Sequence, residues 1–134
     1  MSERDESAET LRRMVRMLQQ QNYVGVVEFD QSTFSDASEF TKRQLFGLRA
    51  LAYDKLGSRK RCIEEYTKLL ATNGVSDFES HTTMVEIAEQ YLQCDEPNSA
   101  KLWLTKSIEI ASHDTTLDTS RAIHLMQIAD GRET

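Results

Sequence analysis

Apolar side chains along this chain recur at intervals of three and four, and no stretch alternates with period two. Residues 1–6, MSERDE, are polar and without periodicity, and are expected to form a flexible lead. After Ser7, Leu11, Met14, Val15 and Leu18 form an i, i+3, i+4, i+7 stripe that predicts a helix ending at Asn22. A short helix carrying Tyr23, Val26, Val27 and Phe29 follows, ending near Phe34. The next run, from about Glu39 to Leu56, has Leu45, Phe46, Leu48, Ala50, Leu51, Ala52 and Tyr53 on two faces. It stops at Gly57, a residue suited to a left-handed C-cap.

Ser58 opens a helix with Cys62, Ile63, Tyr66, Leu69 and Leu70 at helical spacing, closed by Asn73-Gly74. Ser76 with Glu79 forms a capping box ahead of Met84, Val85, Ile87, Ala88, Tyr91 and Leu92. Pro97, welcome only in a first turn, begins a helix with Ala100, Trp103, Leu104, Ile108 and Ala111 as its stripe. Asp114 and the threonines after it start a last helix with Leu117, Ala122, Ile123, Leu125, Met126 and Ile128, which Gly131 ends. The pattern therefore predicts about seven helices and no sheet. The connections are short enough to force consecutive helices antiparallel.

Self-similarity turns this helix series into an architecture. Phe46, Ala50, Tyr53, Cys62 and Tyr66 recur 38 residues later as Met84, Ala88, Tyr91, Ala100 and Leu104. A more degenerate copy fits Met14, Met17, Tyr23 and Val26, with the run NYVGVV at 22–27 standing at the turn. These positions resemble the tetratricopeptide repeat, a pair of antiparallel helices in about 34 residues. The family's tryptophan, paired Leu-Gly and closing proline are missing. The resemblance implies an all-α, right-handed stack of three helical hairpins (7–34, 39–73, 77–112) with a capping helix at 116–130, together one domain over 7–130. The segments LRALAYDK (48–55) and IEEYTKLL (63–70) are also similar to N-terminal repeats of tetratricopeptide subunits of the anaphase-promoting complex, where such segments dimerise.

Composition fits helices: one proline and five glycines in 134 residues. The net charge of −6 speaks against a nucleic-acid surface. Charge is uneven, with eight basic and three acidic side chains between 41 and 70. Cys62 and Cys94, without a partner motif, read as free thiols of a reducing compartment, cytoplasmic or nuclear. No apolar run reaches the roughly 18 residues of a membrane span.

Candidate chemistry is sparse. His81, His113 and His124 share no i, i+4 spacing and lie beside neither cysteine, so no metal site is expected; they read as solvent-facing or helix-end residues. Adjacent carboxylates such as Glu64-Glu65 diverge by about 100° on a helix and do not converge for acid–base work. Neither a phosphate loop nor a nucleophile elbow occurs. The expectation is a non-enzyme without cofactors.

In the tetratricopeptide register, the first helix of each hairpin lines a concave groove. The resemblance places Leu11, Val15 and Leu18 there from the first hairpin, Gly47, Leu51 and Asp54 from the second, and Val85, Glu89 and Leu92 from the third. This lining is mostly apolar and lacks the lysine, asparagine and arginine clamp with which some members hold acidic tails. It suits an amphipathic helix or apolar peptide of a partner protein. Alternatives are a homodimer, a small-molecule pocket between hairpins, or a groove filled by a terminal segment of the chain itself. Lys55, Arg59, Lys60 and Arg61 form a basic edge, either solvated or a docking patch for an acidic partner. Lys60–Glu64 and Arg61–Glu65 stand at the i, i+4 spacing of helical ion pairs.

Overall fold

The computed structural model describes residues 3–132, and these contain seven α-helices, one short 3-10 turn and no strand. Contacts group the chain into two compact units, one up to Gly74 and one from Val75, where one domain over 7–130 was expected. The first unit comprises α1 (Glu3–Gln19), α2 (Tyr23–Val27), a 3-10 turn (Gln31–Phe34), α3 (Glu39–Lys55) and α4 (Arg59–Leu70). The second comprises α5 (Asp77–Gln93), α6 (Pro97–Ala111) and α7 (Ser120–Arg132).

Helix α1 begins inside the stretch expected to be a flexible lead; Met1 and Ser2 lie outside the described residues. Nothing in ERDE breaks a helix, and negative charge is favoured at a helix N-terminus. Ser7 then anchors the segment: it is buried, and its hydroxyl donates to the Thr33 carbonyl at 3.3 Å.

The turns that join α1 to α2, α3 to α4 and α5 to α6 are built alike. After α3, Gly57 takes φ +75°, its N–H bonds Asp54 O at 3.0 Å and the Ser58 N–H bonds Tyr53 O at 2.9 Å. This is a Schellman closure, which satisfies two of the helix's last carbonyls. After α1, Gln21 stands at φ 61°, with Gln21 N–H to Leu18 O at 3.0 Å and Asn22 N–H to Met17 O at 2.8 Å. After α5, Asp95 stands at φ 59°, with Asp95 N–H to Leu92 O at 3.1 Å and Glu96 N–H to Tyr91 O at 2.9 Å. The helix starts repeat as well. Ser38 caps α3 by accepting from Thr41 N–H, and Ser76 caps α5 by accepting from Glu79 N–H, both at 3.1 Å. An acidic residue and a phenylalanine follow each serine: Glu39-Phe40 and Asp77-Phe78.

The first unit packs Met14, Val26, Phe34, Leu45 and Ala52 together, and places Ala50, Tyr53 and Cys62 where α3 meets α4. The core of the second is Val85, Ala88, Leu92, Ala100, Leu104, Ala122, Leu125 and Ala129, with Trp103 half-buried against it. Alanine at the crossings lets helices approach closely, so the small positions of the internal repeat are packing positions.

Helix α7 starts at Ser120 rather than near 116. Asp114 accepts from Thr116 N–H at 3.0 Å and Asp118 from Ser120 N–H at 2.9 Å, so successive turns delay the helix. It also runs through Gly131, which was expected to end it.

Candidate functional site

An open groove of about 820 Å³ lies between α1 and α3 in the first unit. Its α1 wall carries Ala8, Glu9, Leu11, Arg12, Val15 and Arg16, and its α3 wall Gln44, Gly47 and Leu48. At 100° per residue, Ala8, Leu11 and Val15 lie on one flank of the α1 wall, next to the core-facing Met14. Glu9, Arg12 and Arg16 lie on the other, away from the core. Gly47 leaves its part of the α3 wall bare, since an added Cβ would meet only Leu69 Cδ1 at 3.8 Å.

Of the first-unit groove residues expected from sequence, the structure brings together Leu11, Val15 and Gly47. Leu18 is instead half-buried against the core, while Leu51, 42% exposed, lies one turn beyond Gly47 on α3. Asp54 is ion-paired with Arg59. Sequence reasoning missed Ala8, Glu9, Arg12, Arg16, Gln44 and Leu48. A usable signal existed in the arginines four residues apart, Arg12 and Arg16, each following an apolar groove residue.

The second unit corrects the expectation for Val85 and Leu92. They are 4% and 5% exposed and packed in the core with Ala122, Leu125 and Ala129 of α7, so the helix expected to cap the stack takes up the apolar face of α5; Val85 only edges a small cavity, which Leu92 does not line. Glu89 is engaged by Arg121, which also holds Glu86. A smaller cavity of about 240 Å³ remains beside Phe78, Thr82, Leu117 and Arg121.

His81 borders that cavity and is buried, not solvent-facing. Its Nε2 stands 3.0 Å from the Asp118 carbonyl, and its Nδ1 lies 2.6 Å from the Ser107 hydroxyl and 3.2 Å from the Ser107 carbonyl. The imidazole thereby ties α5 to α6 and to the α6–α7 loop. His113 and His124 are exposed.

The basic edge is partly neutralised. Arg59 pairs with Asp54, and Arg61 lies over the Tyr53 ring, 6.0 Å from its centroid, rather than pairing with Glu65. Glu65 is buried and bonds Arg49 Nε at 3.2 Å. Lys55 and Lys60 are exposed.

Among the described residues no three of His, Cys, Asp and Glu converge as metal ligands. No described helix is long and apolar enough to cross a membrane. Comparison of the chain with models of known protein families and with curated proteins finds no match.

Proposed function

We propose that this all-helical chain is a non-catalytic protein-interaction module, a tetratricopeptide-like set of helical hairpins that seats a helical or apolar segment of a partner. The observation that carries this reading is the groove between α1 and α3: its inner flank is apolar, Val15 is 40% exposed there, and Gly47 keeps the opposite wall open. An apolar flank facing an open concavity is what a helical or apolar partner segment would cover. The repeated Schellman turns and the paired Ser38 and Ser76 caps support a repeat origin for the hairpins. A partner in the cytoplasm or nucleus would suit two cysteines, Cys62 and Cys94, that form no disulfide.

Affinity purification from native extract, with the partner identified by mass, tests the reading. Val15→Glu and Gly47→Gln should each remove the same protein from the eluate while leaving helical circular dichroism unchanged. Equal recovery by the folded variants would refute the groove as the contact.

A smaller reading rests on volume alone, since about 820 Å³ lies within the range of small-molecule pockets. It predicts a thermal shift with apolar ligands that Val15→Glu abolishes.

A further inference from the structure

The groove is electrostatically one-sided. On its outer α1 flank, one carboxylate, Glu9, serves two guanidiniums: Arg12 at 2.9 Å and Arg16 at 3.7 Å. The arginine side chains are 66% and 63% exposed, so their remaining donors face water. The nearby Arg13 is directed elsewhere, over the Phe29 ring at 5.9 Å. The opposite wall offers only the neutral Gln44 as a long polar side chain. An occupant therefore meets apolar surface on its inner side and a net positive rim on one outer edge. Lining residues 8–16 extend along α1 for about 12 Å, roughly two helical turns.

The geometry points to an acidic amphipathic helix as the occupant, with apolar anchors at i, i+4 and i+7 in the groove and carboxylates along one edge paired with Arg12 and Arg16. This rests on the interaction-module reading and adds the partner's chemistry and orientation. Arginine suits the role because its planar fork binds a carboxylate through two parallel hydrogen bonds. Two such pairs would also set the direction in which the helix lies, since the charged edge must face α1 and not α3.

The test uses two synthetic 14-residue helical peptides with identical leucine anchors and either glutamate or lysine along one edge. Binding to the full chain is read by fluorescence anisotropy at low salt. The glutamate peptide should bind roughly tenfold more tightly than the lysine peptide, an advantage that high salt removes. Arg12→Glu combined with Arg16→Glu, both at exposed positions, should reverse the preference, and Val15→Glu should abolish binding of both.

Equal affinity for the two peptides, abolished by Val15→Glu, would overturn the acidic occupant and leave the groove reading standing. No binding of either, or binding indifferent to Val15→Glu, would overturn both. Sedimentation showing a dimer that Val15→Glu dissolves would put a second copy in the groove and overturn the proposal.

Discussion

Single residues in this protein are best understood through the bonds they cannot afford to lose, and Arg49 is the clearest case. It is buried on α3, donates to Glu65 Oε1 at 3.2 Å, to Val27 O at 2.9 Å and to the Tyr53 hydroxyl at 3.3 Å, and so joins α2, α3 and α4. The other carboxylate oxygen, Glu65 Oε2, is buried without a hydrogen-bond partner. Such a pair adds less to stability than its geometry suggests, whereas breaking it strands a charge. Glu65→Ala should lower unfolding free energy by about 3–5 kcal/mol in urea titration. Arg49→Met with Glu65→Leu removes both charges together and should lose far less than that single change. A single change that loses under about 1 kcal/mol would mean that water already solvates the pair.

Asp118 gives a residue-scale prediction about pH. Its carboxyl is held below the ordinary value of 3.8 mainly by the Ser120 side-chain hydrogen bond, then by the Ser120 backbone N–H, with a smaller pull from His81. A carboxyl depressed in the folded state contributes stability above its ordinary value and loses it as pH falls through the depressed one. Carbon-detected titration should therefore find Asp118 below 3.8, with the Ser120 amide shifting at the same midpoint. Asp118→Asn should retain the turn, because the amide oxygen still accepts, and abolish that amide titration.

At the scale of elements, the helices were legible in the apolar stripe and their ends were legible only where residue type is diagnostic. Gly57 announced its turn because glycine takes positive φ without strain. Gln21 and Asp95 make the same turn, yet neither residue type marks a left-handed position as glycine does. Buried polar residues were hidden for another reason. His81 looks like a surface histidine in sequence, because its partners Ser107 and Asp118 lie 26 and 37 residues away. The groove was half legible: the repeat register picked out Leu11, Val15 and Gly47, but it also selected Val85 and Leu92, because one hairpin's pattern does not say that α7 covers them. The turn comparison is testable. Nothing lies within 4 Å of a Cβ added at Gly57, so Gly57→Ala would introduce backbone strain alone and should lose roughly 1–2 kcal/mol. Gln21→Gly should gain roughly 0.5–1 kcal/mol, as strain relief exceeds the added chain entropy. Opposite signs in urea midpoints would check that both turns use the same left-handed residue.

For the whole molecule, the question is how much each unit can do alone. The unit ending at Gly74 has its own core around Met14, Phe34 and Leu45, and the unit from Val75 has another around Ala88, Leu104 and Leu125. Each also closes its own polar business, Arg49 with Glu65 in the first and His81 with Ser107 in the second. Domains of this size are marginal but do fold alone when their apolar faces are covered internally. Fragments 1–74 and 75–134, made separately, should each show helical circular dichroism and a cooperative thermal transition. The groove lies wholly within the first fragment, so 1–74 should retain binding of the glutamate-edged peptide and 75–134 should show none. A first fragment that folds but has lost the peptide would mean that the groove needs the second unit, and binding would then belong to the hairpins acting together.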